Sequence, residues 1–458
     1  MVMGSLPEEV DVAVIGGGVG GYFAAIRAAQ LGKSVGIVEK DKLGGHCLNY
    51  ACIPSKTLIH ISNLFYEMQH AQQFGISAGN VSLDAKKMLD WRMSASKRLE
   101  DGVSFLMKAN GIDVFKGTAT FLSSSTLQLT DGITLDFKKA IIATGSEPTP
   151  FKGFEFGGNV LNYKQALMMD KVPKSMLIVG AGYVSVEIGT LYAKLGTEVT
   201  ILARSDVLSR FDRDAIALVK KKMESIGVKI LAGTLPVSKS GDGSVTLSNN
   251  QTVKPEVIVV ATGLSPYTGS LGLENTKVKL SERGFVQVDG SLRTTDPDIL
   301  AIGDVIGEPM LAHKAMRQGI VAAEVASGKN SGYDNTVVPA VIFSDPEIAI
   351  AGSVEESEGV KVVKYPLTAL GRAIALGRTE GFIKIAFDSE NLVKGVEIVS
   401  TDANAIIGEA ALAIEMGATL EDIADTIHPH PTFGELMQEV AEAALGRPMD
   451  FFYGKQSR

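Results

Sequence analysis

A strand, a glycine turn, a helix and a second strand ending in an acid constrain this chain more than any other stretch. In DVAVIGGGVGGYFAAIRAAQLGKSVGIVEK, the apolar run Asp11 to Ile15 meets Gly16, Gly18 and Gly21 in GxGxxG spacing, and the segment closes on Glu39. Each position has its own physical task. The first glycine makes the turn, the second admits a pyrophosphate to the backbone, the third lets helix and strand pack, and Glu39 is placed to accept from ribose hydroxyls. The pattern returns in MLIVGAGYVSVEIGTLYAKLGTEVTILARS, with Gly180 and Gly182 after a strand and Ser185 in place of the third glycine. Downstream, each copy is closed by a strand running into an Ala-Thr-Gly turn, IIATG with Thr144 and Gly145, and VIVVATG with Gly263. The chain is therefore expected to hold two dinucleotide-binding βαβ units related by internal duplication.

Between the first unit and its closing turn stands GGHCLNYACIPSK, Gly44 to Lys56. It carries Cys47 and Cys52, the only cysteines in 458 residues, on what reads as a glycine start followed by a helix. A pair so close can form a small disulfide ring, and a helix N-terminus lowers a thiol's pKa. The residues read as a redox dithiol or, more blandly, as two reduced buried thiols. With no other cysteine for a structural disulfide and no export signal, a cytoplasmic, reducing location is expected.

At 458 residues the chain should form several domains, since single cores stop growing near ~250 to 300 residues. The net charge of minus 8 is interspersed, with no basic tract to neutralise phosphates, so a nucleic-acid partner is not expected. Acidic residues precede the apolar run Val12 to Ala29 and Arg27 interrupts it, which reads as a buried strand and helix rather than a membrane segment.

Two further stretches carry chemistry. DPDILAIGDVIGEPMLAHKA runs a strand into Gly303-Asp304 and a helix start near Ala312 and His313, where Asp304 alone would be an ordinary turn aspartate. TIHPHPTFGEL places His430 five residues before Glu435. His428 and His430 lack further ligands at metal-site spacing, so a histidine oriented by a carboxylate is the better reading, with a packing or capping histidine as its alternative.

Taken together, these segments resemble the flavin-dependent pyridine nucleotide-disulfide oxidoreductase family over Asp11 to about Leu436. GGHCLNYACIPSK is similar to the family's GGTCLNxGCIPSK, with His46 for Thr and Ala51 for Gly, and HPHPTFGE matches HxHPTxxE at every fixed position. The resemblance implies an α/β fold with two Rossmann-like FAD/NAD(P)-binding units and a C-terminal α+β dimerisation domain. The expected divisions are 1–147 for FAD and the dithiol, 148–268 for NAD(P), 269–336 completing the FAD site and 337–458 for the interface. Cys47 and Cys52 become the redox pair, His430 the acid/base supplied in the family by the partner subunit, and Glu435 its orienter. The cofactor contacts implied are Gly16, Gly18, Gly21, Glu39, Lys56, Ala119, Thr144, Gly145, Asp304 and Ala312, with Gly180, Gly182, Glu187, Arg204 and Gly263. Lys56 resembles the lysine beside the flavin and Glu187 the glutamate paired with it.

Within the family, PMLAHKA and EAALAIEMGATLEDIADTIHPHPT resemble the dihydrolipoyl dehydrogenase branch more than glutathione reductases. That implies FAD, a homodimer, dihydrolipoamide or a lipoyl-carrying protein as substrate, and a 2-oxoacid dehydrogenase or glycine cleavage complex as setting. An NADPH-driven reductase of another small disulfide is the alternative, and a non-catalytic flavin-binding redox sensor a more distant one. The nicotinamide is left as NAD or NADP, because the second unit's strand ends in Ala203, followed by Arg204 and Arg210, where an acid would accept from the ribose.

Overall fold

The computed structural model of the chain describes residues 8–77 and 79–452. It divides into two compact units, Met1–Val172 with Val259–Asp334, and Pro173–Ile258 with Asn335–Arg458.

In the first unit, β1 (Glu8–Ile15), α1 (Val19–Gln30) and β2 (Val35–Glu39) form the expected βαβ start. The strand begins three residues earlier than the apolar run alone marks. Val12 to Ile15 and Val35 to Val38 are buried, as strands covered on both faces by other elements must be. Two more helices follow, α2 (Gly45–Asn49) and α3 (Cys52–His70), then α4 (Ala85–Ala109). The strands continue as β3 (Asp113–Lys116), β4 (Ala119–Ser123), β5 (Thr126–Leu129) and β6 (Thr134–Ile142).

These form a seven-stranded sheet in the order β3-β2-β1-β6-β5-β4, with Ile299–Ala301 pairing to the end of β6. The pairs β2–β3, β1–β2 and β1–β6 are parallel, and β4 and β5 make an antiparallel extension. Val12 and Val14 pack with Ala24 and Ala28 of α1 on one face, while Ala13 and Ile15 pack with Phe121 and Leu127 on the other.

Helix Ala312–Ala326 crosses α1 in backbone contact. A Cβ on Gly319 would lie 2.4 Å from the Gly20 carbonyl oxygen, so this crossing requires glycine. The close approach sets the start of that helix beside the glycine turn of β1.

In place of one helix after Gly44, the structure has two, interrupted at Tyr50 and Ala51. Gly44 and Gly45 take positive φ to turn the chain. The Asn49 side chain then donates to the Leu43 and Gly45 carbonyls, each at 3.0 Å, and the buried Arg92 guanidinium of α4 donates to the Asn49 carbonyl at 2.7 Å. With that carbonyl engaged from outside, α2 ends and α3 starts afresh at Cys52.

In the second unit, Ser175–Val179, helix Tyr183–Lys194 and Glu198–Ala203 repeat the βαβ start in a parallel sheet that continues to Lys229–Ala232. A five-stranded antiparallel sheet follows, in the order Ala340–Ile342, Glu347–Gly352, Val393–Ser400, Phe382–Phe387, Lys361–Pro366. Its apolar face packs against helices Ala403–Met416 and Glu435–Ala444. The apolar stretch AVIFSDPEIAIAG forms two strands, Ala340–Ile342 and Glu347–Gly352. Pro346 has no N–H for a ladder, and the Ser344 hydroxyl donates to the Pro346 carbonyl at 2.7 Å, closing the break locally. Among the described residues no helix is long and apolar enough to cross a membrane.

Candidate active site

Two of the three glycines in the first unit are fixed by packing and the middle one lies open. A Cβ at Gly16 would stand 2.4 Å from the Ala143 carbonyl oxygen, and one at Gly21 1.9 Å from that of Gly16. At Gly18 a Cβ would meet nothing within 4 Å, which leaves the backbone there accessible to a ligand. The Glu39 carboxylate accepts from the Gly17 N–H at 2.7 Å and the Asp41 N–H at 2.8 Å, so the acid is held against the turn. Burial pushes this carboxyl above its ordinary value, opposed by those two N–H groups.

The Gly117 N–H donates to the Glu39 carbonyl at 2.9 Å, and Ala119, just beyond, is buried at the start of β4. Its side chain belongs to the core.

The Ala-Thr-Gly turns support this cradle from below. Ala143 N–H donates to Ile15, and the Thr144 hydroxyl donates to the Tyr267 carbonyl at 2.7 Å. Gly145 and Gly263 are linked by the antiparallel pair Ser146–Pro148 and Leu264–Pro266 that follows them. Asp304, in the turn Gly303–Ile306, accepts from the Ser146 hydroxyl at 2.6 Å, and burial pushes its carboxyl up. Helix Ala312–Ala326 begins with Leu311 at its N-cap, which offers no side-chain acceptor, so its first N–H groups present the positive end of the helix. The open face over Gly18, the fixed Glu39, half-buried Asp304 and this helix start fit an extended flavin dinucleotide.

The dithiol is in the same unit. Cys47 lies in α2 and Cys52 opens the 19-residue α3. The two thiols are hydrogen-bonded to one another, and that bond, followed by burial, pushes the Cys47 thiol up, against the pull of Lys56 one turn into α3. The helix start thus serves Cys52, where the positive end of α3 favours a thiolate. Cys47 is held as the protonated partner.

The second unit carries the remaining candidates. The Gly180 N–H donates to Leu202 at 3.1 Å, as Gly16 does to Val38, and a Cβ at Gly182 would meet nothing within 4 Å. Ser185 is buried at the third-glycine position, its hydroxyl without a hydrogen-bond partner among the described residues. Glu187 is buried and accepts from the Phe343 N–H at 3.1 Å. Arg204 is exposed just past the strand end at Ala203.

His430 is 76% exposed, with Nδ1 at 2.7 Å from Glu435 Oε1. Glu435 opens its helix, and its other oxygen accepts from the Thr432 N–H at 2.7 Å. This fixes Nδ1 as the protonated nitrogen and leaves Nε2 with the lone pair. His428 is tied elsewhere, to Glu409 and the Thr426 carbonyl. No group of three or more His, Cys, Asp and Glu residues suited to a metal occurs among the described residues.

Residues 10–319 match the pyridine nucleotide-disulphide oxidoreductase family, and 338–441 match that family's dimerisation domain. The chain belongs to this family. Within it, the chain is 43% identical to a dihydrolipoyl dehydrogenase of Geobacillus stearothermophilus, covering 98% of this chain and 99% of the relative. A dihydrolipoyl dehydrogenase of Halobacterium salinarum is 40% identical, covering 97% and 98%. Among solved structures, LpdA from Mycobacterium tuberculosis superposes with a TM-score of 0.88 at 26% identity, covering 95% of this chain and 100% of that one. A flavoprotein disulfide reductase from Escherichia coli, RclA, does so at 0.84 and 25%, covering 94% and 99%.

Against the family pattern, three contacts were not anticipated. Arg92 braces the loop between the cysteines, and its signal was a charged residue on the buried stripe Met88, Arg92, Ser96, Val103, Met107 of α4. Ser146, directly after the first Ala-Thr-Gly turn, anchors Asp304. His46, which departs from the family motif, accepts at Nε2 from the Lys164 ammonium at 2.7 Å and lies 3.3 Å from the Tyr163 hydroxyl. Burial, then Lys164, holds this imidazole down at about 4, so it is neutral at pH 7. No local sequence pattern joins position 46 to 163 and 164.

Proposed function

We propose that this family member is a dihydrolipoyl dehydrogenase, oxidising dihydrolipoamide to lipoamide through Cys47 and Cys52 and passing the electrons to NAD(P)+. The observation that carries the reading is the mutual hydrogen bond of the two thiols at the start of α3, in the same unit as a cradle that fits a flavin dinucleotide. Relatives of that name, matching nearly end to end, support the choice of substrate.

With the pair as a disulfide, His430 Nε2 takes a proton from one substrate thiol, and Glu435 stabilises the imidazolium. The substrate thiolate attacks Cys47 Sγ, breaking the S–S bond, and Cys52 leaves as a thiolate that the helix start stabilises. The second substrate thiol, deprotonated in turn, attacks the substrate sulfur of the mixed disulfide. Lipoamide departs, and Cys47, whose environment favours the thiol, takes a proton. The flavin, when bound, supplies the two-electron step between the dithiol and the nicotinamide. His430 acts from the second copy of a homodimer, and the dimerisation-domain match spans both His430 and Glu435. The substrate arrives free or on a lipoyl-carrying protein of a 2-oxoacid dehydrogenase or glycine cleavage complex.

A panel of disulfides tests the assignment. Lipoamide, glutathione disulfide and other small disulfides are compared by kcat/KM with both reduced nicotinamides. Lipoamide is expected to lead under at least one of them; a higher value for glutathione disulfide under both overturns the assignment.

A further inference from the structure

One row of side chains crosses the antiparallel sheet of the second unit with its charges out of balance. Ile350, Glu397, Lys384 and Lys364 stand opposite one another on four adjacent strands, so they share a face. Against that face lies the start of helix Arg213–Ser225. Lys384 donates to Asp212 at 2.8 Å and lies 3.1 Å from Asp214, and Lys364 donates to Asp214 at 2.9 Å. Two ammonium groups thus answer two carboxylates, and Glu397 is a third acid. It is fully buried, neither of its oxygens has a hydrogen-bond partner among the described residues, and its neighbour on the other side is the apolar Ile350.

Asp212 ties this row to the second glycine cradle. One of its oxygens caps the helix, accepting from the Asp214 and Ala215 N–H groups at 2.9 and 3.3 Å, and the other takes Lys384. The chain before it is the loop 204–211, which starts at the strand end, where a bound dinucleotide places its ribose. Leu208 holds that loop onto the glycine turn: its N–H donates to the Ala181 carbonyl at 2.8 Å, and its carbonyl accepts from the Phe211 N–H at 2.8 Å. Leu208 is buried with φ 51°, a left-handed backbone that a leucine adopts only when its surroundings impose it. The docked loop is therefore a strained arrangement, kept in place at one end by the capping Asp212.

We propose that Glu397 is a proton-operated latch on the nicotinamide cradle. With Glu397 protonated, Lys384 stays with Asp212 and the loop stays docked; once ionised, Glu397 draws Lys384 away and repels Asp212, which frees the loop and weakens dinucleotide binding. Burial, then the charge of Asp212, pushes the Glu397 carboxyl up to about 7, with Lys384 and Lys364 opposing the rise and Asp214 adding to it. Affinity for the dinucleotide is thus full below that value and falls as pH rises through it, and by linkage binding takes up protons near neutral pH. The inference rests on the second unit being the nicotinamide site and is independent of which disulfide the dithiol serves.

Calorimetric titration of the FAD-loaded protein with NAD+ at pH 6, 7 and 8, in buffers of different ionisation enthalpy, reads both affinity and proton uptake without turnover. From pH 6 to pH 8 the wild type is expected to lose about fivefold or more in affinity, the scale of a typical coupling between two sites, and to take up protons at pH 7. E397Q, fixed in the neutral form, should keep its pH 6 affinity at pH 8 and take up fewer protons; D212N, which cuts the link to the loop, should also flatten the profile. The wild-type pH dependence retained in either variant overturns the inference. G182D, which sets a carboxylate at the open glycine, separates the latch from the reading beneath it. NAD+ binding intact in G182D sinks the assignment of the second cradle, whereas binding lost there with equal pH dependence in wild type and E397Q sinks the latch alone.

Discussion

His430 has the arrangement of a base because Glu435 settles which of its nitrogens carries the proton. With Nδ1–H directed at Glu435, Nε2 is left to accept a proton from an incoming thiol, and its exposure keeps that nitrogen reachable. Replacing it with Gln should lower lipoamide turnover by ~10² or more, the usual contribution of a positioned general base. Stopped-flow reduction of the flavin by NAD(P)H should keep its wild-type rate, because that step does not draw on a substrate thiol. Equal lipoamide turnover in H430Q and wild type would remove His430 from the mechanism. The histidine and its orienter were legible because both lie within one short motif. The bracing of the dithiol loop was not, since Arg92 reaches Asn49 across 43 positions and its meaning depends on how α4 packs.

At the scale of elements, the sequence marked the two βαβ starts well and the interruptions poorly. Glycine spacing and apolar runs report a strand and a helix, but the break between α2 and α3 comes from side chains competing for carbonyls, which no periodicity encodes. The central strand Val393–Ser400 carries another feature of this kind. Glu397 is fully buried there, neither of its carboxylate oxygens has a hydrogen-bond partner among the described residues, and its cross-strand neighbour Lys384 is engaged with Asp212 and Asp214.

Burial, then the charge of Asp212, pushes the Glu397 carboxyl up to about 7 from an ordinary 4.5. A raised carboxyl favours the folded state fully below its unfolded value, and that contribution is lost as pH rises through the folded one. Wild-type stability should therefore fall relative to E397Q between about pH 4.5 and pH 7 to 8, by on the order of 3 kcal/mol. Urea denaturation of both proteins at four pH values across that window checks this. A pH-independent difference would show that Glu397 does not titrate there.

Over the whole molecule, the family, its two nucleotide cradles and its dithiol could be read in advance because each is a local run of residues with a physical task. The grouping of those runs is not local: only the family resemblance set 269–336 with the FAD site, and the joining of 173–258 to the C-terminal stretch was not read. The compact units join Met1–Val172 to Val259–Asp334 and Pro173–Ile258 to Asn335–Arg458, so each is assembled from stretches far apart in the chain. Such joining depends on contacts like Gly20 with Gly319 and β6 with Ile299–Ala301, made between surfaces that are unremarkable in sequence.

The central claim is that one pair of sulfurs opens and closes in each turnover. Alkylation of the FAD-loaded dimer with iodoacetamide, followed by denaturation and peptide mass analysis, reads that pair directly. After reduction with dihydrolipoamide in the absence of NAD(P)+, Cys47 and Cys52 are both expected to carry the alkyl group; after oxidation with excess lipoamide, neither should. Alkylation of both cysteines to the same extent in the two states would contradict it.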